Sequence, residues 1–417
     1  MTLTYTPALG RRLVATLFTA QSLASAGLIA TFTVNPLVGA RLSGNDALAG
    51  LPGTLLQIGA ATAAYPAGQL MARAGRRVGL TLGFFAGMLG MLIAGIATMQ
   101  SSFPLFLLGL AFIGASRGSI DQSRYAAADA QPIEQRARAI STLVFASTIG
   151  AVGGPALVKP LGDMVESWGI DPLAGPMFGG ALLMLIGGFI LMFMLFPDPR
   201  DIAKTLASST SSTTNTNTNQ PTRSLGEIFG LPGFQMAVVA MIFGQVVMVL
   251  VMTVTSLHMS HHDHDLGEIS LVFAAHTFGM FGVSFATGWF ADRFGRYTTI
   301  ATGAVILIIG SLLAPVSLMT PWIALALFLV GFGWNMCYIG GSTLLSDTVT
   351  PAERGQIQGL SDLSVNLSAA SSSLSSGFVM AAFGYTMLCV LGAGLCLVPL
   401  AMWAWLQLQR RQAASAI

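Results

Sequence analysis

Charge is what this chain has least of. Only 9% of its 417 residues are Asp, Glu, Lys or Arg, against roughly 25% in a soluble domain. The hydrophobic fraction is 53% and the mean hydropathy is +0.72. No water-soluble fold of this length hides so much apolar surface. The net charge of +2 is too small for a nucleic-acid-binding surface. Cysteine is scarce as well. Cys337, Cys389 and Cys396 all fall in apolar runs, so no disulfide framework is indicated. There is no nucleotide-binding or hydrolytic motif and no soluble domain. An enzyme is not expected, nor a resident cofactor.

What the chain does have is long apolar runs, each able to span a bilayer as a helix. Twelve are expected, at 13–39, 48–71, 78–98, 102–124, 139–161, 173–196, 232–257, 266–290, 298–316, 319–344, 357–381 and 384–407. The expected fold class is therefore an all-α membrane protein of two six-helix halves. Arg11 and Arg12 precede the first run, which is too long for a signal-peptide core and lacks a clear cleavage site. It is expected to stay as a span. Residues 197–231 centre on a Ser/Thr/Asn-rich stretch that cannot pack a core. That stretch divides an N-terminal half, 1–196, from a C-terminal half, 232–417. With both termini inside, every one of the 19 Lys and Arg except Arg41 and Lys159 falls on the cytoplasmic side or at inner helix ends. The positive-inside rule then places both termini in the cytoplasm of a cell inner membrane.

The halves repeat. Gly68, Ala72, Arg73, Gly75 and Arg76 follow the second span, and Gly288, Asp292, Arg293, Gly295 and Arg296 follow the eighth, 220 positions later. Pro132, Glu134 and Arg136 before the fifth span are echoed by Pro351, Glu353 and Arg354 before the eleventh. Two matches at nearly one offset argue for an internal repeat of six helices. The Asp-Arg and Gly-Arg spacing in these loops resembles the signature of the major facilitator superfamily, and the likeness covers the whole chain. It implies a substrate site near the bilayer midplane, alternating access by rocking of the halves, and action as a monomer. The basic loops are expected to serve topology and gating. Ala72 departs from the pattern, because the family usually has an aspartate there. Any charge network built on that aspartate is absent from the first copy.

All five histidines lie between His258 and His276, with methionines around them. Histidine and methionine together are ligands for soft and borderline transition metals. Met248 and Met252 share one face of the seventh helix, and His276 and Met280 one face of the eighth. At 1.5 Å per residue, Met248 and His276 each lie roughly 15 Å below the outer boundary. The two helices are expected to be antiparallel neighbours that carry the pairs at about one depth. Met241, Gln245 and Met259 extend the stripe along the seventh helix. Methionine also packs well in apolar helices. A chain with 21 Met in 417 residues holds about one Met-x-x-x-Met by chance. An intramembrane histidine is a stronger functional signal. The combination resembles the CcoA-type copper importers, a branch of the superfamily linked to haem-copper oxidase assembly. That resemblance implies that Met248, Met252, His276 and Met280 carry copper inward as substrate, with periplasmic or cytoplasmic copper chaperones as candidate partners.

Other polar groups have two readings each. His258, Met259, His261, His262 and His264 form an outer segment that either collects metal at the entrance or is simply a solvated hairpin. Arg117, Asp121 and Arg124 near the inner end of the fourth span suit structural pairing, with Asp121 also a candidate proton carrier. Asp362 and Asn366 share a face of the eleventh span and suit a gate, a cap or proton coupling. Cys337, beside Met336, either receives a copper ion on the way in or packs, and packing is expected. Cys389 and Cys396 share a face of the last helix and are expected to face lipid. Gly150, Gly153, Gly154 and Pro155 weakly resemble the superfamily's antiporter motif. Three functions therefore stand open: a copper importer, a proton-coupled exporter of drugs or small organic molecules, and a non-transporting copper sensor or assembly factor.

Overall fold

The computed structural model describes residues 6–132, 135–210, 223–349 and 354–415. Among them there is no β-strand. Glu134, Pro351 and Glu353 of the second repeat echo and residues 211–222 of the linker lie outside the described residues.

Apolar residues without breakers dictate helix in lipid, since every backbone polar group must be satisfied within its own segment. The long helices are α1 (Pro7–Ser43), α2 (Leu51–Ala74), α3 (Arg76–Met99), α4 (Phe103–Ile120), α5 (Arg136–Ala156) and α6 (Gly175–Met194). They continue as α7 (Pro232–Ser260), α8 (the bent pair Leu266–Gly282 and Ser284–Phe294), α9 (Arg296–Leu313) and α10 (Thr320–Thr348). The last are α11 (Arg354–Leu395), broken at Gly384, and α12 (Leu397–Ser415). Their starts carry expected signals. Thr6 caps α1 by accepting from Leu9 N, and Pro stands in the first turn of α1, α4, α6, α7 and α10.

Among the described residues nine helices are long and apolar enough to cross a membrane, or ten with the bent pair counted as one. One of them, Leu360–Gln409, covers the eleventh and twelfth expected spans together. The fifth expected span is filled by α5 and the short helix Val158–Glu166, interrupted at Leu157 just after Pro155. Proline removes a helix-internal N–H and clashes with the preceding turn. The fourth span runs from Phe103 to Asp129 in two helical pieces. Asp121 caps the first, and Arg124 belongs to the second, Ser123–Asp129.

The chain separates into two units, Met1–Gly44 with Leu55–Asn217, and Asn45–Thr54 with Thr218–Ile417. The division falls at the polar linker, but the segment leading into α2 groups with the second unit. Its contacts explain why. Ser373 Oγ of α11 donates to Gly50 O at 2.8 Å, and Thr54 Oγ1 donates to Ala370 O at 3.1 Å. Within the first unit, Gln21 of α1 is held by Ser147 of α5 at 2.9 Å and by Ser123 at 2.7 Å. Gly150 and Gly154 belong to the same α1–α5 seam, where an added Cβ would strike the carbonyl oxygens of Ser22 and Ala26. Two glycines of the antiporter-like fragment are thus explained by helix packing.

The two repeated turns share one backbone shape. Gly75 has φ 103° and ψ 158°, and Gly295 has φ 87° and ψ 157°. Only glycine adopts this region without strain. Each glycine ends one helix and opens the next.

Candidate functional site

Helix α10 is the element around which the candidate residues collect. Helix α8 packs chiefly on α10, α7 packs on both α11 and α10, and α7 and α8 touch each other only slightly. This corrects the expectation of two neighbouring helices facing each other directly. Small residues explain the arrangement. A Cβ at Gly331 of α10 would strike His276 O and come within 3.0 Å of Met280 N. A Cβ at Gly279 of α8 would strike Phe328 O of α10. On the α7 side, Gly244 faces Cys337, and Gly341 faces Met241.

His276 is buried, and its Nδ1 lies 2.8 Å from Leu327 O. A carbonyl oxygen only accepts, so Nδ1 carries the proton and Nε2 keeps its lone pair. Nε2 is itself buried and has no hydrogen-bond partner. One turn further, α8 opens into a π-turn over Phe278–Gly282 and bends by 40°. Such turns free a backbone carbonyl and cluster at functional sites. Here Asn335 of α10 satisfies it. Its Nδ2 donates to Met280 O at 2.6 Å and to Ser284 Oγ at 2.9 Å, while its Oδ1 accepts from Thr287 Oγ1 at 2.6 Å. Asn335 is buried and fully engaged.

The three helices meet at an aromatic group. Phe281, inside the π-turn, stands edge-on to Trp334 at 6.0 Å, and Trp334 stacks on Tyr338 at 5.0 Å with 17° between the planes. Trp334 Nε1 donates to Gln245 Oε1 of α7 at 2.8 Å. Phe281 and Tyr338 are half-buried. On α7, Met241, Met248 and Met259 are buried, whereas Met252, like Met280 on α8, is half-buried. Reasoning from sequence missed Trp334, Tyr338, Phe281 and Asn335. An asparagine in an apolar span is the signal that could have found the last of these.

The outer histidine segment is ordered. His261 ends α7, Asp263 takes φ 61°, and Asp265 with Glu268 forms a reciprocal capping box that starts α8. The five expected entrance residues separate. Met259 is core. His264 Nδ1 lies 3.0 Å from Glu268 Oε2, and Thr320 Oγ1 donates to Glu268 Oε1 at 2.6 Å. His261 Nε2 is 3.5 Å from Asp46 Oδ2. His258 stacks on Tyr385 at 4.0 Å, and the His262 ring is 4.5 Å from that of His258. Among the described residues no group of three or more His, Cys, Asp or Glu is arranged to hold a metal.

At the repeated turns, Arg296 bonds Asp292 at 2.9 Å, Asp347 at 3.2 Å and Ala291 O at 2.8 Å. In the first copy Arg76 bonds Asp129 at 2.9 Å. Asp129 lies 218 positions before Asp347, so this half of the grip is repeated. With no aspartate at position 72, the first turn is held by different contacts from Asp198 and Arg200. Asp198 accepts from Arg76 N at 3.0 Å and Arg77 N at 2.9 Å, capping α3. Arg200 Nη1 donates to Ala72 O at 2.9 Å and Arg73 O at 2.8 Å. Of the remaining members, Gly68 lies against Gln122, Gly288 is open, and Arg293 lies over Trp289 and Phe294.

The other carboxylate candidates are exposed. Asp121 pairs with Arg117 at 3.9 Å with both side chains well exposed, and Arg117 reaches Gln57 at 3.3 Å. Arg124 lies over the Tyr125 ring at 5.0 Å. Asp362 is exposed on α11. Cys389 and Cys396, expected to face lipid, are buried in the protein. The break at Gly384 lies just before these thiols, and Tyr385 packs beside it. Cys337 packs, with Sγ 3.7 Å from Ile300 O.

The sequence profile of the Major Facilitator Superfamily matches residues 17–265 and 246–416. Over 389 residues the chain is 36% identical to the uncharacterised MFS-type transporter YdeG of Bacillus subtilis, covering 92% of this chain and 90% of that one. It is 30% identical over 376 residues to the riboflavin transporter RfnT of Brucella anthropi, covering 90% of each. In fold it resembles a solved D-xylose–proton symporter, with a TM-score of 0.73 at 16% identity over 95% of this chain and 98% of that one. The chain belongs to the major facilitator superfamily. It is a multi-pass membrane transporter and not an enzyme.

Proposed function

We propose that this transporter moves a planar heteroaromatic organic solute by alternating access, with Trp334, Tyr338, Phe281 and Gln245 as its contacts in the C-terminal half. The observation that carries this reading is the hydrogen-bonded, stacked group joining α7, α8 and α10. A flat π-system gains most from offset or edge contact with such rings. An amide beside them supplies the oriented polar contact that small-molecule sites use. The similarity to a riboflavin transporter supports the same solute class. In this reading the protein is a monomer in the cytoplasmic membrane with both termini inside, following its basic residues. The test is uptake of labelled riboflavin into proteoliposomes containing the intact chain or Trp334→Ala. Accumulation with the intact chain that falls at least about tenfold in the variant supports it. Equal uptake into empty liposomes sinks it.

A second reading, copper import through Met248, Met252, His276 and Met280, is favoured by the buried, unpartnered Nε2 of His276. One imidazole with thioethers is a donor set for a soft ion. Here copper is the cargo, and copper chaperones are the partners to seek. Labelled-copper uptake by cells carrying the intact chain, His276→Ala, or Met252→Ala with Met280→Ala separates the readings. Equal copper accumulation in all three strains removes it.

A further inference from the structure

The histidines at the C-terminal end of α7 fall into separate sets. His264 is engaged by Glu268 and Thr320, and His261 faces Asp46. His258 and His262 remain together, four residues apart, His258 in the last turn of α7 and His262 in the turn that follows it. Their ring centroids are 4.5 Å apart. Two further contacts fix how these rings are presented. His262 Nδ1 lies 2.8 Å from His258 O. Since the carbonyl accepts, Nδ1 is the protonated nitrogen and Nε2 of His262 holds an available lone pair. His258 lies flat on Tyr385, 4.0 Å away with only 10° between planes, and Tyr385 is itself held by Thr255 at 2.9 Å. The ring of His258 is thereby oriented by packing. His262 is exposed and His258 half-buried, so an ion reaches the pair from solvent.

We propose that His258 and His262 form a binding site for a borderline divalent transition-metal ion such as Cu(II) or Zn(II), distinct from any translocation site at His276. Paired neutral imidazoles suit these ions, and water completes the coordination shell. The bond from Nδ1 to a backbone carbonyl is the outer-shell contact that metal-binding histidines usually make. Occupancy ties the last turn of α7 to the ring stack on α11, directly beside the break at Gly384. The site is independent of the solute assignment, because it uses none of Gln245, Phe281, Trp334 or Tyr338.

The test uses the full chain, freed of any affinity tag, in nanodiscs. Zinc sulfate and copper sulfate are titrated against a chromophoric chelator. The variants are His258→Gln, His262→Ala, His261→Ala and His264→Ala, each checked by circular dichroism and gel filtration. One ion per chain is expected, bound more tightly as Cu(II) than as Zn(II). Affinity is expected to fall about tenfold or more in His258→Gln and in His262→Ala. It stays unchanged in the other two. Electron paramagnetic resonance of the Cu(II) form should show nitrogen coupling that weakens in His262→Ala. The proposal is overturned if the intact chain binds no ion, or if folded His262→Ala binds as tightly as the parent. It is equally overturned if His261→Ala or His264→Ala loses as much affinity as His262→Ala.

Discussion

The indole N–H of Trp334 donates to the side-chain oxygen of Gln245 at 2.8 Å, tying α10 to α7 inside the C-terminal unit. A buried donor and a buried acceptor satisfy each other there, and either one alone costs about 1–3 kcal/mol to leave unmade. Replacing Gln245 with Leu should therefore weaken the fold and the solute contact together, whereas Trp334→Phe should keep stacking on Tyr338 but leave the buried Gln245 oxygen unpaired. Tryptophan-fluorescence titration with riboflavin checks the first variant and transport assays check both. Unchanged affinity in Gln245→Leu would remove Gln245 from the proposed contacts.

Asn335 spends its whole hydrogen-bonding capacity toward α8 on Met280 O, Ser284 and Thr287. Asn335→Leu leaves the freed carbonyl of the π-turn unpaired, at a cost of about 1–3 kcal/mol. The apparent Tm in detergent should drop by several degrees. An unaltered melting curve would mean that the turn does not need this side chain.

Gly331 stands where a side chain would strike His276 O. Gly331→Ala should push α8 away from α10 and cost about 1–3 kcal/mol, as overpacking does. Thermal scanning should show the loss, and hydrogen exchange should quicken at Phe273–Gly282. The change should be larger than that of an alanine at Gly288, which meets nothing within 4 Å.

Asp198 holds the first two amides of α3 in the turn where the second copy has Asp292. Asp198→Ala removes a helix cap worth about 1 kcal/mol. Amide exchange at Arg76 and Arg77 should accelerate, and Ala72→Asp in that background should not restore it, because a residue at 72 reaches the Arg76 side chain rather than the amides. Full protection in Asp198→Ala would refute the capping role.

The fold was legible because lipid leaves the backbone few choices. Hydropathy marked the long helices, and the paired Gly75 and Gly295 turns announced the repeat. Breaks were harder. Pro155 sits where the fifth span is interrupted, yet proline alone does not decide between a kink and a stop. The π-turn left no periodic trace, because one extra residue in a helix apolar on every side changes no pattern. For the site, clustered histidines drew attention to α7 and α8, but helix adjacency is a tertiary fact. Glycines on α10 decided it, and glycine in a membrane helix is too common to read. Asp198 was invisible as a cap of the first turn, since it lies over a hundred positions from Ala72 in the chain.

The extra residue in the π-turn sets the phase between the two ends of α8. Each residue of an α-helix advances the chain by about 100° around its axis. Were the turn to relax to ordinary α-periodicity, Ser284–Phe294 would rotate by about that angle relative to Leu266–Thr277. Asp292 would swing off the side on which Arg296 also meets Asp347. The clasp on Met280 O by Asn335 therefore works as a rotational index: it holds the basic turn at one end of the helix in register with His276 in the middle.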